Sequence, residues 1–381
     1  MIKRDIYEEF KLLKNEYPVV LVTGPRQSGK STFIKAESSE YSYVSLEDLD
    51  NRLFALDDPR SFLEKLGDKA IIDEAQYVPE LFSYIQTIVD KENKSGMFIL
   101  SGSQNFKLME NVTQSLAGRV GILTLLPLSR LELKNSKIIY ESVEDLIFTG
   151  GYPRIYDKNI RPQRYYSYYI DTYIERDVRT LKAVHNLELF KTFIKLCADR
   201  IGSVLNYESL ARATGINVKT VKEWLTVLET SYIVFKLPPY YKNFEKRITK
   251  SPKLYFYDTG LAANLLGIKK IDMIKQNPNY GHLFENYIIT ELLKKNYNRG
   301  EIPNLYFWSE NENNEIDLIF EENSKINAYE IKSSKTMKPQ FAKNLNNFSK
   351  FAKDIEQLCV VYAGELEPKI QDVKFISWKS W

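Results

Sequence analysis

The chain has 381 residues, of which 44% are hydrophobic, so we expect two or three packed globular domains. Its 53 Lys and Arg residues nearly balance its 50 Asp and Glu residues. The formal charge of +3 excludes a protein whose whole surface attracts nucleic acid through a strong positive charge. The chain has two cysteines without paired spacing and two histidines, so we expect neither disulfides nor a zinc site. No run approaches the ~20 apolar residues of a membrane span. We therefore predict a cytoplasmic protein without a membrane partner.

The first predicted strand, residues 19–22, runs directly into a loop with the spacing G-x-x-x-x-G-K-[ST]. This spacing is typical of a loop that wraps nucleotide phosphates, because its glycines let backbone N–H groups point inward at the start of a helix. Lys30 supplies a cation for the β and γ oxygens, and Ser31 offers a hydroxyl to Mg²⁺. The candidate nucleotide-binding residues are Gly24, Pro25, Arg26, Gln27, Ser28, Gly29, Lys30, Ser31 and Thr32.

A second apolar run, residues 70–72, ends at Asp73 and Glu74. Doubly wound sheets form their ligand sites at the carboxyl ends of their strands, so both acids are expected near the loop. Asp73 would hold Mg²⁺, and Glu74 would polarise the attacking water. The alternative is a strand end with two solvated acids.

A third apolar run, residues 97–100, leads into small polar residues. Ser103, Gln104 and Asn105 could each contact the γ-phosphate or the water, and the sequence does not choose among them. We take Gln104 as the candidate sensor.

Two arginines are candidates for charge stabilisation during phosphoryl transfer. Arg119 follows a glycine and could act as an arginine finger, or it could be a structural arginine paired with a carboxylate. Arg26, within the loop, could contact phosphate or a neighbouring subunit.

Taken together, these motifs resemble those of a large prokaryotic family of AAA-type ATPases. The family's C-terminal half is an uncharacterised domain shaped like restriction endonucleases. The resemblance covers nearly the full length and includes the segment 126–129 with Glu132, and Gly150, Tyr152 and Pro153. It implies ATP as the ligand and magnesium as the cofactor, but it implies no known substrate.

Residues 160–200 have apolar residues at three- and four-residue steps, which is typical of helices. Tyr165, Tyr168, Tyr169 and Tyr173 form one such stripe, which we interpret as the core of a helical lid on the ATPase rather than as a functional aromatic surface.

Residues 206–215 and 217–228 predict two helices joined by a glycine-containing turn, as in a helix-turn-helix. Later strands could complete a winged helix. Lys219, Lys222 and the basic segment 242–253 could contact a DNA backbone. The alternative is a rigid packing module between domains.

The C-terminal region places acids and a lysine at regular positions. In the strand that ends at Lys332, a period of two puts Glu330 and Lys332 on one face, and Asp317 lies on the preceding strand. Two carboxylates and a lysine suit metal-assisted phosphodiester cleavage. The D-x(12)-E-x-K spacing resembles the core of the PD-(D/E)XK nuclease superfamily, and Glu285 matches the extra acid of some members. Ile316 stands where that pattern has proline, and the alternative is an ion-pair cluster without activity.

We therefore predict an α/β chain of three parts. These are an AAA-like P-loop ATPase with a parallel sheet over 1–150, a helical lid and winged-helix region over 151–250, and a restriction-endonuclease-like α/β domain over 251–381. ATP hydrolysis would serve a DNA-directed, nuclease-like module. Alternatively, the chain is an ATP-dependent switch whose nuclease-like domain binds a partner or nucleic acid without cleavage. A finger role for Arg119 would require a homo-oligomer.

Overall fold

A computed structural model describes residues 2–102, 115–173, 178, 184, 186–240, 251–311, 314–350 and 352–381. The chain divides into two compact units. The first comprises Met1–Ser136, Thr230–Tyr232 and Lys295–Glu301, and the second comprises Lys137–Glu229, Ile233–Lys294 and Ile302–Trp381. Within the described ranges, no helix has both the length and the apolar composition needed to cross a membrane. The predicted three-part division stays a prediction.

A five-stranded parallel sheet forms the centre of the first unit. Its strands are β1 (Val19–Thr23), β2 (Ser42–Ser45), β3 (Ala70–Asp73), β4 (Phe98–Ser101) and β5 (Val120–Thr124). They lie in the order β2-β3-β4-β1-β5, and every neighbouring pair is parallel. Because β4 lies between β1 and β3, the carboxyl ends of these three strands meet at one edge. The predicted parallel α/β sheet is confirmed.

Helices pack on both faces of this sheet. They are α1 (Tyr7–Glu16), α2 (Lys30–Ala36), α3 (Leu49–Asp57), α4 (Pro59–Leu66), α5 (Leu81–Glu92) and α6 (Arg130–Asn135), with a 3₁₀ turn at Ala75–Tyr77. Val19 and Leu21 pack in one apolar cluster with side chains of α4 and α5. Val20 and Val22 point the other way and pack with side chains of α1 and α2. Burial on both faces explains why β1 is apolar nearly throughout.

The second unit begins with helices that surround a tyrosine cluster. Its helices are α7 (Val143–Thr149), α8 (Pro153–Asp157), α9 (Pro162–Tyr173), α10 (Leu187–Asp199), α11 (Tyr207–Thr214), α12 (Val218–Thr230), α13 (Thr259–Leu265), α14 (Asp272–Gln276), α15 (Tyr280–Tyr297) and α16 (Lys343–Phe348), with a 3₁₀ turn at Pro339–Ala342. The last residues of α12 and α15 belong to the first unit.

The tyrosine stripe of α9 is core, as predicted, with one correction. Tyr165, Tyr169 and Tyr173 are buried, but Tyr168 is 60% exposed and Tyr166 is buried in its place. The physical reason is helical geometry, because Tyr168 lies about 130° around the helix from the centre of the buried face.

Buried hydrogen bonds link the hydroxyls of this cluster to one another and to neighbouring residues. Tyr169 pairs with the hydroxyl of Tyr152 at 2.9 Å, and Tyr166 donates to Asp258 Oδ1 at 2.7 Å. The buried hydroxyls that make these bonds are therefore satisfied within the core.

The predicted pair of helices at 206–228 is confirmed as α11 and α12, which are separated by Gly215 in a left-handed conformation. The strands β6 (Val234–Leu237) and β7 (Lys253–Phe256) pair antiparallel. Most of the basic segment between them, residues 242–250, lies outside the described residues. The winged-helix interpretation therefore stays a prediction.

A six-stranded mixed sheet completes the second unit. Its strands are β8 (Asn304–Asn311), β9 (Asn314–Glu322), β10 (Lys325–Lys332), β11 (Ile355–Tyr362), β12 (Lys369–Ile370) and β13 (Val373–Ser377). They lie in the order β12-β13-β11-β10-β9-β8, with β11 parallel to both β10 and β13. The predicted C-terminal α/β unit is present as this mixed sheet.

A buried carboxylate in α7 gives the second unit a pH-dependent contribution to stability. Glu144 accepts hydrogen bonds from Ser142 Oγ at 2.5 Å and from Tyr280 Oη at 2.6 Å, and Lys275 Nζ lies 3.4 Å away. Burial opposes ionisation, but these hydrogen bonds and the Lys275 charge lower the pKa of Glu144 to about 2.

We expect Glu144→Gln to destabilise the protein by about 1–3 kcal/mol at pH 7. A carboxylate whose folded pKa is depressed stabilises the fold above its unfolded pKa, near 4.5, and that contribution is lost as the pH falls toward 2. Urea unfolding of both proteins at pH 7 and at pH 3 measures the difference. A difference that does not shrink at pH 3 would contradict this account.

Candidate nucleotide-binding site and C-terminal cleft

The segment between β1 and α2 forms a tight loop around its own lysine. Gly24 and Gly29 have φ angles of 137° and 96°, which favour glycine. Lys30 is 7% exposed, and its Nζ donates to Gly24 O at 2.9 Å and to Pro25 O at 2.8 Å. The strand, loop and helix that the motif requires therefore follow one another in the fold.

The other loop residues occupy the turn and the start of α2. Gln27 has a positive φ of 59°, and Ser28 is fully buried. Ser31 and Thr32 lie in the first turn of α2, where free backbone N–H groups favour an anion.

Gly24 cannot accept a side chain without a shift of the loop. A Cβ atom there would lie 2.3 Å from Leu125 O, which is a backbone atom. We expect Gly24→Ala to lower the free energy of unfolding by at least about 2 kcal/mol more than Gly67→Ala does. Gly67 is a matched control, because its φ is 78° but no atom lies within 4 Å of the added Cβ. Equal losses in chemical denaturation would show that Leu125 can move aside.

Asp73 ends β3 beside two hydroxyl donors. It is 5% exposed, and it accepts hydrogen bonds from Ser101 Oγ and, at 2.8 Å, from Tyr43 Oη. Ser101 ends β4 and Tyr43 lies on β2, so the strand order brings these three side chains together. The Asp73 carboxylate and the Ser31 hydroxyl are oxygen ligands of the kind that Mg²⁺ prefers.

Glu74 follows Asp73 in a left-handed backbone conformation with φ of 57°. Its side chain accepts a hydrogen bond from Gln76. Burial raises the pKa of Glu74 above its ordinary value, although the Lys30 charge opposes this and the Arg26 charge does so to a smaller extent. A carboxylate with a raised pKa is suited to act as a general base near neutral pH.

The second unit contains a cleft of about 840 Å³ beside the mixed sheet. Its titratable lining residues are Lys253, His282, Glu285, Glu315, Asp317 and Lys332. They come from β7, α15, β9 and β10, so only the tertiary structure assembles them.

Glu285, on α15, is 6% exposed and has three close partners. Tyr255 Oη donates to its Oε1 at 2.5 Å, Lys253 Nζ lies 3.4 Å from the same oxygen, and His282 Nδ1 lies 3.4 Å from Oε2. Burial opposes ionisation, but Lys253 and the hydrogen bonds keep the pKa of Glu285 below its ordinary value. Lys253 also pairs with Glu315.

Asp317, Glu330 and Lys332 lie side by side, and the period of two predicts the part of this arrangement that joins Glu330 to Lys332. Lys332 Nζ lies 3.4 Å from Asp317 Oδ2 and 2.8 Å from Glu330 Oε1, and Ile331 N–H donates to Asp317 Oδ2 at 2.7 Å. Burial and the nearby Asp317 charge raise the pKa of Glu330 to about 8. Lys332 therefore bridges the two carboxylates.

The fit of this cleft to a metal ion is incomplete. Among the described residues, no group of three or more His, Cys, Asp or Glu is arranged to hold a metal ion. Asp317 and Glu330 share Lys332, and Glu285 pairs with Lys253. A divalent cation at these acids would have to compete with two ammonium groups.

Residues 16–134 match the family model described as "AAA domain". This match supports an AAA-type P-loop ATPase. Residues 140–272 and 280–381 match two further family models, described as "Domain of unknown function (DUF8612)" and "Domain of unknown function (DUF4143)".

Similar proteins occur in bacteria and archaea. The chain is 29% identical over 368 residues to an uncharacterized protein of Mycobacterium tuberculosis, covering 95% of this chain and 80% of the relative. It is 26% identical over 341 residues to an uncharacterized protein of Methanocaldococcus jannaschii, covering 75% of this chain and 70% of the relative. A Walker-type ATPase of Pyrococcus abyssi is 15% identical with a TM-score of 0.46, covering 70% and 96% of the two chains, a likeness too distant to support an argument.

Within the first unit, Arg119 lies far from the loop along the sheet. Its backbone O accepts from Val19 N–H at 3.2 Å, at the amino end of β1, whereas the loop follows the carboxyl end. Its side chain pairs with Asp90, with Nη2 3.0 Å from Oδ2. A finger role therefore requires a second subunit and stays a prediction, while the pairing agrees with the structural alternative.

Three residues predicted as candidates for the nucleotide site lie outside the described residues, namely Ser103, Gln104 and Asn105. Conversely, the sequence reasoning missed Tyr43 and Ser101, which contact Asp73. A polar residue at the end of an apolar run was an available signal for Ser101, but no local pattern indicated Tyr43.

Proposed function

We propose that the chain is a cytoplasmic ATPase that binds MgATP at the loop 24–32 and hydrolyses it. The proposal depends above all on one observation. The left-handed glycines and buried Lys30 of the loop share a sheet edge with Asp73 and the adjacent Glu74. That edge is where a parallel sheet binds ligands.

The chain's own residues would act as follows. Loop N–H groups and Lys30 bind the phosphates, and Lys30 exchanges its two loop carbonyls for phosphate oxygens. Ser31 and Asp73 would hold Mg²⁺, which supplies charge neutralisation of the phosphate oxygens. Ser101 and Tyr43 fix the orientation of Asp73, and Glu74 accepts the proton of the attacking water.

We further propose that nucleotide turnover serves a DNA-directed module in the second unit. The 840 Å³ cleft and the exposed Lys219 of α12 support this proposal. In the cleaving form, Asp317, Glu330 and Glu285 would hold a divalent cation, and Lys332 would orient the water.

The second candidate function is an ATP-dependent switch that binds nucleic acid or a partner without cutting it. The ion pairs favour this alternative, because each candidate metal ligand already has an ammonium partner. An oligomer would be required in either case if Arg119 acts across a subunit boundary, and ATPase specific activity would then fall on dilution.

The two candidates differ in one measurement. We expect DNA to raise the ATPase rate in the cleaving form and in a switch that binds nucleic acid, because nucleotide turnover and the DNA-directed module are then coupled. In the cleaving form, plasmid incubated with Mg²⁺ or Mn²⁺ is also nicked, and Glu330→Ala abolishes nicking. Glu322→Ala, an exposed acid on β9, is the matched control and leaves nicking unchanged. If the plasmid stays intact while DNA raises the ATPase rate, the result supports the switch. If DNA leaves the ATPase rate unchanged and the affinity for DNA does not depend on salt concentration, the result refutes a DNA-directed module.

A further inference from the structure

A buried arginine before α1 reaches the candidate nucleotide loop. Arg4 is 7% exposed. Its Nη1 donates to Ser28 O at 2.9 Å, its Nη2 donates to Leu126 O at 2.6 Å, and its Nε lies 2.9 Å from Glu132 Oε1. One guanidinium therefore ties the loop after β1 to the segment after β5.

The acidic partner of Arg4 is itself held in place. Glu132 is 1% exposed, and it forms a capping box at the start of α6 with Ser129. Ser129 N–H donates to Glu132 Oε2 at 2.8 Å, and Asp5 N–H donates to Oε1 at 2.9 Å. Both oxygens of the Glu132 carboxylate therefore accept hydrogen bonds from backbone N–H groups. The carboxylate held in this way fixes the position of the Arg4 guanidinium.

The hydrogen bond from Arg4 to Ser28 O fixes the orientation of one peptide group of the loop. Lys30 binds the carbonyls of Gly24 and Pro25, and Arg4 binds the carbonyl of Ser28. A peptide group whose C=O is fixed on one side directs the N–H of the following residue to the other side. For Ser28 that residue is Gly29, at the start of α2, where a phosphate would bind.

We infer that Arg4 is a positioning residue for nucleotide binding, which fixes the Ser28–Gly29 peptide so that its N–H faces the phosphates. The inference rests on the proposed function of the loop. A merely structural Arg4 would hold α1 and α6 together without affecting the affinity for nucleotide.

The test measures MgATP affinity by calorimetry, well below the melting temperature, with a circular dichroism spectrum for each variant. We expect Arg4→Ala to raise the Kd for MgATP at least about tenfold. Arg4→Lys keeps the buried charge, but its single nitrogen cannot occupy the three positions from which Nε, Nη1 and Nη2 reach their acceptors, so its Kd should rise by about threefold. Glu132→Gln should raise the Kd in the same direction, and its effect should not add to that of Arg4→Ala, because both act through one contact.

The matched control is Lys294→Ala in the second unit, which also removes a buried ion pair, with Nζ 2.8 Å from Glu291 Oε1. Its melting temperature should fall while its Kd for MgATP stays unchanged. The inference is overturned if Arg4→Ala folds and its Kd for MgATP is within twofold of the wild-type value. If Arg4→Ala does not fold, the inference is overturned when the Kd of Arg4→Lys equals that of the wild type. A wild-type protein that binds no MgATP instead refutes the proposed function itself, and the inference with it.

Discussion

Replacing Lys30 by alanine is expected to abolish ATP binding. The variant loses the cation that would meet the β and γ oxygens, and it leaves Gly24 O and Pro25 O without their buried donor. We expect the Kd for MgATP, measured by calorimetry, to rise by more than about a hundredfold.

Lys94→Ala is the control for this experiment. Lys94 is also in the first unit and also paired with an acid, but it is 59% exposed. Its removal should leave the Kd unchanged, because exposed ion pairs contribute little. Unaltered ATP affinity in a folded Lys30→Ala protein would refute the nucleotide site.

Replacing Glu74 by glutamine is expected to separate binding from turnover. The amide keeps the size of the side chain and can still pair with Gln76, but it cannot accept the proton of the attacking water. We expect the variant to bind MgATP like the wild type and to hydrolyse it at least about tenfold more slowly. Calorimetry measures the first quantity, and steady-state phosphate release measures the second.

Glu80→Gln makes the same chemical change at an exposed acid at the start of α5, and its rate should match that of the wild type. A normal rate in Glu74→Gln would remove Glu74 from the role of base. The nucleotide site would still stand in that case, because the Lys30 experiment tests it independently.

Much of the candidate nucleotide site could be predicted from the sequence because its parts are local. A glycine-rich turn between a strand and a helix is set by nearby φ and ψ angles, and glycine at positions 24 and 29 permits the positive φ values that the turn has there. The position of Asp73 at the end of β3 was equally readable, because an apolar run that stops at an acid marks the end of a buried strand.

The partners of those residues could not be predicted in the same way. Arg4 and Glu132 are 128 residues apart, and Tyr43 and Asp73 are 30 residues apart. Which side chains meet depends on the strand order β2-β3-β4-β1-β5, and no periodicity in a single segment encodes that order.

The C-terminal cleft shows the same division. The period of two was sufficient to place Glu330 beside Lys332, because side chains alternate along every strand. The pairing of Glu285 with Lys253 required β7 and α15 to pack together, which neither segment specifies alone.

The sequence by itself thus determined the strand, loop and helix of the nucleotide site and the local spacing of the C-terminal acids. Only the tertiary structure decided that Arg4 contacts the loop, that Arg119 lies at the far end of β1, and that ammonium groups face the C-terminal acids. The physical reason is that backbone conformation depends on neighbouring residues, whereas buried polar contacts depend on which distant segments pack together.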